Sequence, residues 1–213
     1  MTISEAMNVF LKMSENEDFF YLKELYNHLD LVAHIPVRNI GTIGGNLMLK
    51  HTDNKFQSDL FLIIETVGGM VTIGEGVAKS NIISLPDFLR TDMKRKIMLN
   101  IMLPPFSQSC SLKTFKIMPR AQNAHAIINA GFLLKFHHNS NLIEKATIVY
   151  GGISQSFIHA VKSEAILVGR DPYTNETLQL VLKNLEEELQ PEENYPEPSA
   201  AFRKMLALAL FYK

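Results

Sequence analysis

The chain has 213 residues, a net charge of −1 and 46% hydrophobic content, which suits one large globular domain or two small ones. Nothing in that balance points to a nucleic-acid or membrane-surface protein, and no apolar run reaches the ~18 residues that span a bilayer. The single cysteine, Cys110, excludes an intrachain disulfide, a cysteine-ligated iron–sulfur cluster and a zinc knuckle, so a reducing, cytoplasmic setting is expected.

Residues 4–30 read as helix, with Ser4 as its cap and apolar residues at Met7, Phe10, Leu11, Leu22, Leu25 and Leu29. "SENED" should break it into two, and Pro36 should end it, because the residue before proline avoids helical geometry. The stretch "VRNIGTIGGNLML" follows at 37–49. Two readings of its glycines stand side by side. One is a tight turn between packed elements. The other is an anion cradle, in which Gly44 and Gly45 bare backbone N–H groups beside Thr42 and Asn46. The stretch lacks a P-loop lysine and does not match G-x-G-x-x-G.

Leu60–Glu65 fits a buried helix or a strand, and Ser58 or Asp59 could cap it as a helix. "MVTIG" reads as strand, "ISLPDFL" as a short helical connection and "KIMLNIMLP" as a strand ended by Pro104. A second region starts near Ser111. "LKTFKIM", "NAGFLLKFHH" and "NLIEKATIVYGGI" read as an antiparallel meander, turning at "HHNSN". Two helices follow, "NETLQLVLKNLEEELQ" and "PSAAFRKMLALALFYK", joined by the acidic linker "PEENYPEP". Strands followed by helices make this an α+β pattern. The histidines are scattered or, at His137 and His138, adjacent in a turn, so no metal site is expected.

The segments "HIPVRNIGTIGGNLMLKH", "QSDLFLIIETVGGMVTI", "TFKIMPRAQNAHAIINAGF", "ATIVYGGI" and "AFRKMLALALFYK" resemble, in order, the flavoprotein part of the molybdenum hydroxylases. These are the xanthine dehydrogenases and aldehyde oxidases, and the flavour is similar to insect-type aldehyde oxidase. The resemblance implies part of a flavin-binding domain of the p-cresol methylhydroxylase type over 1–106. A flavoprotein C-terminal domain with a three-stranded antiparallel sheet and helices would follow over 109–213.

By the same resemblance, Thr42, Ile43, Gly44, Gly45 and Asn46 lie against the FAD pyrophosphate and ribityl chain. Asp59 would bind a sugar or ribityl hydroxyl, because a carboxylate repels phosphate. The segment between Asn46 and Asp59 is longer here than in the xanthine dehydrogenases. Met98 would be an apolar neighbour of the flavin, with Leu99 the alternative, since strand alternation lets only one face it. Lys116 would either stabilise reduced flavin electrostatically or be an exposed strand lysine. The loop "MPRAQNAHA", with Arg120 and His125, corresponds to a segment that governs electron-acceptor access. No bond-making catalytic residue is implied in this chain.

The resemblance also implies a relay from iron–sulfur centres through FAD to oxygen or NAD, in a homodimer. The 2Fe-2S and molybdenum cofactor domains would lie outside this chain. An N-terminal lobe carrying a further flavin loop would precede residue 1, so weak or absent FAD retention and no activity are expected of the chain alone. The competing expectation is a non-catalytic, protein-binding remnant.

Overall fold

The computed structural model describes residues 1–76, 79–106, 109–121, 123–193 and 198–213. The first helix, α1 (Ile3–Met13), starts two residues earlier than Ser4 capping would give. Thr2 is its cap, in a reciprocal box with Glu5, while Ser4 donates to Asn39 Oδ1. "SENED" does break the helix, forming a 3-10 turn at Glu17–Phe19 before α2 (Leu22–Asp30).

Pro36 starts a helix and does not end one, because α2 has already stopped at Asp30. It sits at the beginning of α3 (Ile35–Ile40), where its missing N–H costs nothing. The glycine stretch then opens α4 (Ile43–Thr52), and α5 (Asp59–Thr66) is the helical alternative for 60–65.

Strands β1 (Met70–Glu75), β2 (Lys79–Ser84) and β3 (Lys96–Met102) form an antiparallel sheet in the order β2-β1-β3, with α6 (Leu85–Arg90) between β2 and β3. The expected meander is β4 (Cys110–Ile117), β5 (Ile128–Phe136) and β6 (Ile143–Gly151), extended by the two-residue β7 (Ile158–His159). Helices α7 (Val161–Leu167), α8 (Asn175–Glu188) and α9 (Ala200–Tyr212) complete the chain. Residues 194–197 of the acidic linker lie outside the described residues.

Strand alternation gives the meander two faces. Ile128, Ala130, Phe132, Ile148 and Tyr150 join a core with α7–α9. Cys110, Leu112, Leu133 and Val149 point the other way, into the core of the first region. Helix α5 lies directly on that second face. A Cβ at Gly131 would come within 2.0 Å of Thr66 Oγ1, so only glycine lets α5 approach β5 this closely. All eight α5 residues are buried. This contact positions the start of α5 against both Lys116 and Asn129.

Candidate functional site

The site begins at Thr42. Its backbone is extended, its Oγ1 accepts the Gly45 N–H at 3.0 Å and its carbonyl accepts the Asn46 N–H at 3.0 Å. The glycines are therefore a helix's first turn, not a free turn. They hid the helix because glycine is a poor helix former. Each glycine has its own steric setting. A Cβ at Gly45 would lie 2.9 Å from Thr42 Oγ1 and disturb the cap, whereas one at Gly44 would meet nothing within 4 Å.

Asn46 Oδ1 accepts from Ser58 Oγ, and Ser58 Oγ accepts the Phe61 N–H at 2.9 Å. Ser58, rather than Asp59, is thus the α5 cap. One chain of hydrogen bonds ties the first turn of α4 to that of α5. The Asn46 amide NH2 has no acceptor among the described residues.

Asp59 opens α5, where the helix dipole favours a carboxylate. Its Oδ2 lies 2.8 Å from Lys116 Nζ, and its Oδ1 accepts from Asn129 Nδ2 at 2.8 Å. His28 Nε2 is 3.5 Å from Oδ1. Burial alone would raise this carboxyl, but His28 and Lys116 outweigh it and hold the pKa down at about 2. Lys116 also donates to the Leu31 carbonyl at 3.1 Å. Lys116 and Asn129 are direct cross-strand partners, so the β4–β5 register brings both to one carboxylate. A Cβ at Gly151 would lie 2.1 Å from Asn129 Oδ1, so the strand-ending glycine keeps room for that amide.

The residues named from the sequence divide between two cavities that meet at Thr42. Thr42, Gly45, Asn46, Asp59 and Lys116 line one of about 510 Å³, joined by His125. Thr42, Ile43, Gly44 and Met98 line the other, of about 430 Å³. Leu99 lines it too, contrary to the expectation that only one of the pair could. A register shift between Thr72 and Ile73 bulges β3 at this point, so alternation is interrupted. Met98 packs into the core, while Leu99 stays 55% exposed. Lys116 is buried, which removes the reading of it as an exposed strand lysine. Arg120 donates to the Asn123 carbonyl and lines a neighbouring cavity.

Two residues of the polar cluster, His28 and Asn129, escaped sequence reasoning. Asn129 was within reach, since it heads the strand opposite Lys116. His28 shows only as a histidine on the inner face of α2, where its ring nitrogens make no hydrogen bond.

The "FAD binding domain in molybdopterin dehydrogenase" family matches residues 2–106, and the "CO dehydrogenase flavoprotein C-terminal domain" family matches 113–213. Aldehyde oxidase 1 of Rattus norvegicus is 26% identical over 90% of this chain and 14% of its own length. Probable aldehyde oxidase 1 of rice, Oryza sativa subsp. japonica, is 28% identical over 100% and 16%. The xanthine dehydrogenase/oxidase of Gallus gallus is 25% identical over 83% and 13%. The chain therefore spans about a sixth or less of these relatives. In fold it is similar to carbon monoxide dehydrogenase of Hydrogenophaga pseudoflava, with a TM-score of 0.78 and 18% identity over 97% of this chain and 69% of that one. Quinoline 2-oxidoreductase of Pseudomonas putida gives 0.72 and 22% identity over 94% and 68%.

Proposed function

The chain belongs to the FAD-binding flavoprotein part of the molybdenum hydroxylase family, and from that premise we propose that it holds FAD against the first turn of α4. Its role would be the flavin relay of an aldehyde oxidase- or xanthine dehydrogenase-like oxidoreductase. The observation that carries this reading is Thr42, capping a helix whose first turn is exposed between two cavities.

The residues fit a dinucleotide. The Gly44 N–H and the positive end of the helix suit a diphosphate, while the Ile43, Gly45 and Asn46 N–H groups already donate to Met1 and Thr42. Gly44 leaves open space for close approach, and the Asn46 NH2 awaits an acceptor. Thr42, Ile43, Gly44, Gly45 and Asn46 would hold the diphosphate and ribityl chain, with Met98 and Leu99 as the apolar wall. When bound, FAD would supply redox chemistry, taking electrons from 2Fe-2S centres and passing them to oxygen or NAD, with molybdenum chemistry in other domains.

Lys116 and Asp59 form the inner wall as a matched ion pair. Their field at a bound cofactor is that of a dipole, weaker than that of a free cation. Asp59 already accepts from Asn129 and Lys116, so it positions Lys116 as well as offering an oxygen to a hydroxyl. A cytoplasmic homodimer belongs to the same reading.

A second reading, a protein-binding module, is favoured by one observation. Ile97, Leu99 and Met102 of β3 and Ile82 of β2 are exposed apolar residues on one sheet.

FAD fluorescence anisotropy on the purified chain separates the two. Saturable binding that weakens in Thr42→Val and Asn46→Ala supports the flavin reading. No saturable rise, together with concentration-dependent self-association that Leu99→Ser abolishes, would replace it with the second.

A further inference from the structure

A third cavity, of about 410 Å³, lies between the end of α4, α6 and the turn before β7, and shares no lining residue with the two cavities that meet at Thr42. Its wall carries an imbalance of charge. Lys50 is fully buried, donates to the Asn54 carbonyl, and sits 4.7 Å from the centre of the Phe157 ring. It has no ion pair with any carboxylate among the described residues. Arg90, exposed at the rim, has none either.

The carboxylate on the wall, Glu65, is already matched. His159 Nε2 lies 2.6 Å from its Oε1. Glu164, 3.5 Å from the other ring nitrogen, sits off the wall behind His159. Asp53, one turn along the helix from Lys50, is exposed and makes no ion pair with it. His51, also on the wall, offers an anion no donor. Its Nε2 faces the Thr91 carbonyl at 2.7 Å, so that nitrogen carries the proton, and its buried Nδ1 has no partner.

Asp53 acts on Lys50 only at a distance, and a buried ammonium without a direct ion pair is costly and is relieved by an anion that makes one. Burial pushes Lys50 down to about 8, so it is still mainly protonated at neutral pH. The rest of the wall decides the kind of anion. Phe61 and Phe157 are stacked with centroids 5.0 Å apart, and Phe157, Pro86 and Leu89 make an apolar side. Inorganic phosphate would leave that side unmatched. The volume lies in the range that encloses a small organic ligand. We propose that this cavity is a binding site for a small organic acid, its carboxylate toward Lys50 and Arg90 and its apolar body against Phe157.

The test is a two-dimensional NMR titration of the labelled chain with benzoate, with benzamide as the uncharged match and inorganic phosphate as competitor. Benzoate should give saturable one-to-one shifts at Ser156, Phe157 and Arg90. Lys50→Met should weaken it by at least roughly tenfold, and Arg90→Ala by a smaller factor. Benzamide should bind at least roughly tenfold more weakly, as expected when a charged contact is lost. If Lys50→Met does not fold, the surface change Arg90→Ala decides alone. No saturable shift at these residues, or benzoate affinity unchanged in the variants, would overturn the site. Phosphate binding as tightly as benzoate would overturn its assignment to organic acids.

Discussion

Lys116 Nζ lies 2.8 Å from Asp59 Oδ2, and both side chains are at most 8% exposed. The pair joins α5 of the first region to β4 of the second. Each residue stood alone in the sequence, as a separate cofactor contact. In the fold they belong to one polar cluster with Asn129 and His28.

Removing one partner should cost far more than removing both. Asp59→Ala leaves an uncompensated buried cation and should lower stability by about 3–5 kcal/mol. Asp59→Ala combined with Lys116→Met should recover much of that loss. Urea unfolding of the two single variants and the double variant measures the coupling. Additive losses would show that the pair does not act as a unit.

The same cluster sets an acid limit. Asp59 is held near 2 when folded, below the ordinary carboxylate value of 3.8. Its contribution is present above the unfolded value and is lost as pH falls toward 2. On this scale it amounts to roughly 2 kcal/mol. Wild-type stability should fall more steeply from pH 4 to pH 2 than that of Asp59→Asn. Parallel curves would contradict the assignment.

His159 sets an alkaline slope. Glu164 and Glu65 raise its pKa to about 9 from 6.5. A raised folded value means that the stabilisation is complete below pH 6.5 and disappears as pH rises through 9. Lys50 runs the other way. Its lowered value, about 8, makes the folded state gain relative stability between pH 8 and 10.5. Between pH 6.5 and 8 the histidine dominates. Thermal melts across that window should decline in wild type and flatten in His159→Gln.

Packing at Gly131 admits no side chain. Gly131→Ala would drive a Cβ into Thr66 and should destabilise by about 1–3 kcal/mol. Denaturant unfolding measures it, and a neutral result would mean that α5 can lift from β5.

Much of the fold was legible where periodicity is strong. Helices α1, α2, α8 and α9, strands β1 and β3, and the β4–β6 meander all show regular apolar spacing. The misses share a physical cause, which is local residues read without their context. Pro36 reads as a stop, yet suits a helix start. Gly44 and Gly45 read as a turn, yet Thr42 caps them into α4. "KSNIIS" lacks alternation and is a strand only because β1 pairs with it. The bulge that brings Leu99 beside Met98 has no sequence signature. In the site, residue types were legible one at a time. Their partnership was not, because Asp59 and Lys116 meet only through the packing of α5 on β5 and the register of β4.

The central claim is that FAD lies against the first turn of α4, and Gly44→Ala tests it most directly. The added methyl meets nothing in the protein, and alanine favours the helix, so thermal stability should hold or rise by up to about 1 kcal/mol. FAD affinity, read by fluorescence anisotropy, should fall by at least roughly tenfold, a loss of about 1.4 kcal/mol. A variant as stable as wild type that binds FAD equally well would place the cofactor elsewhere.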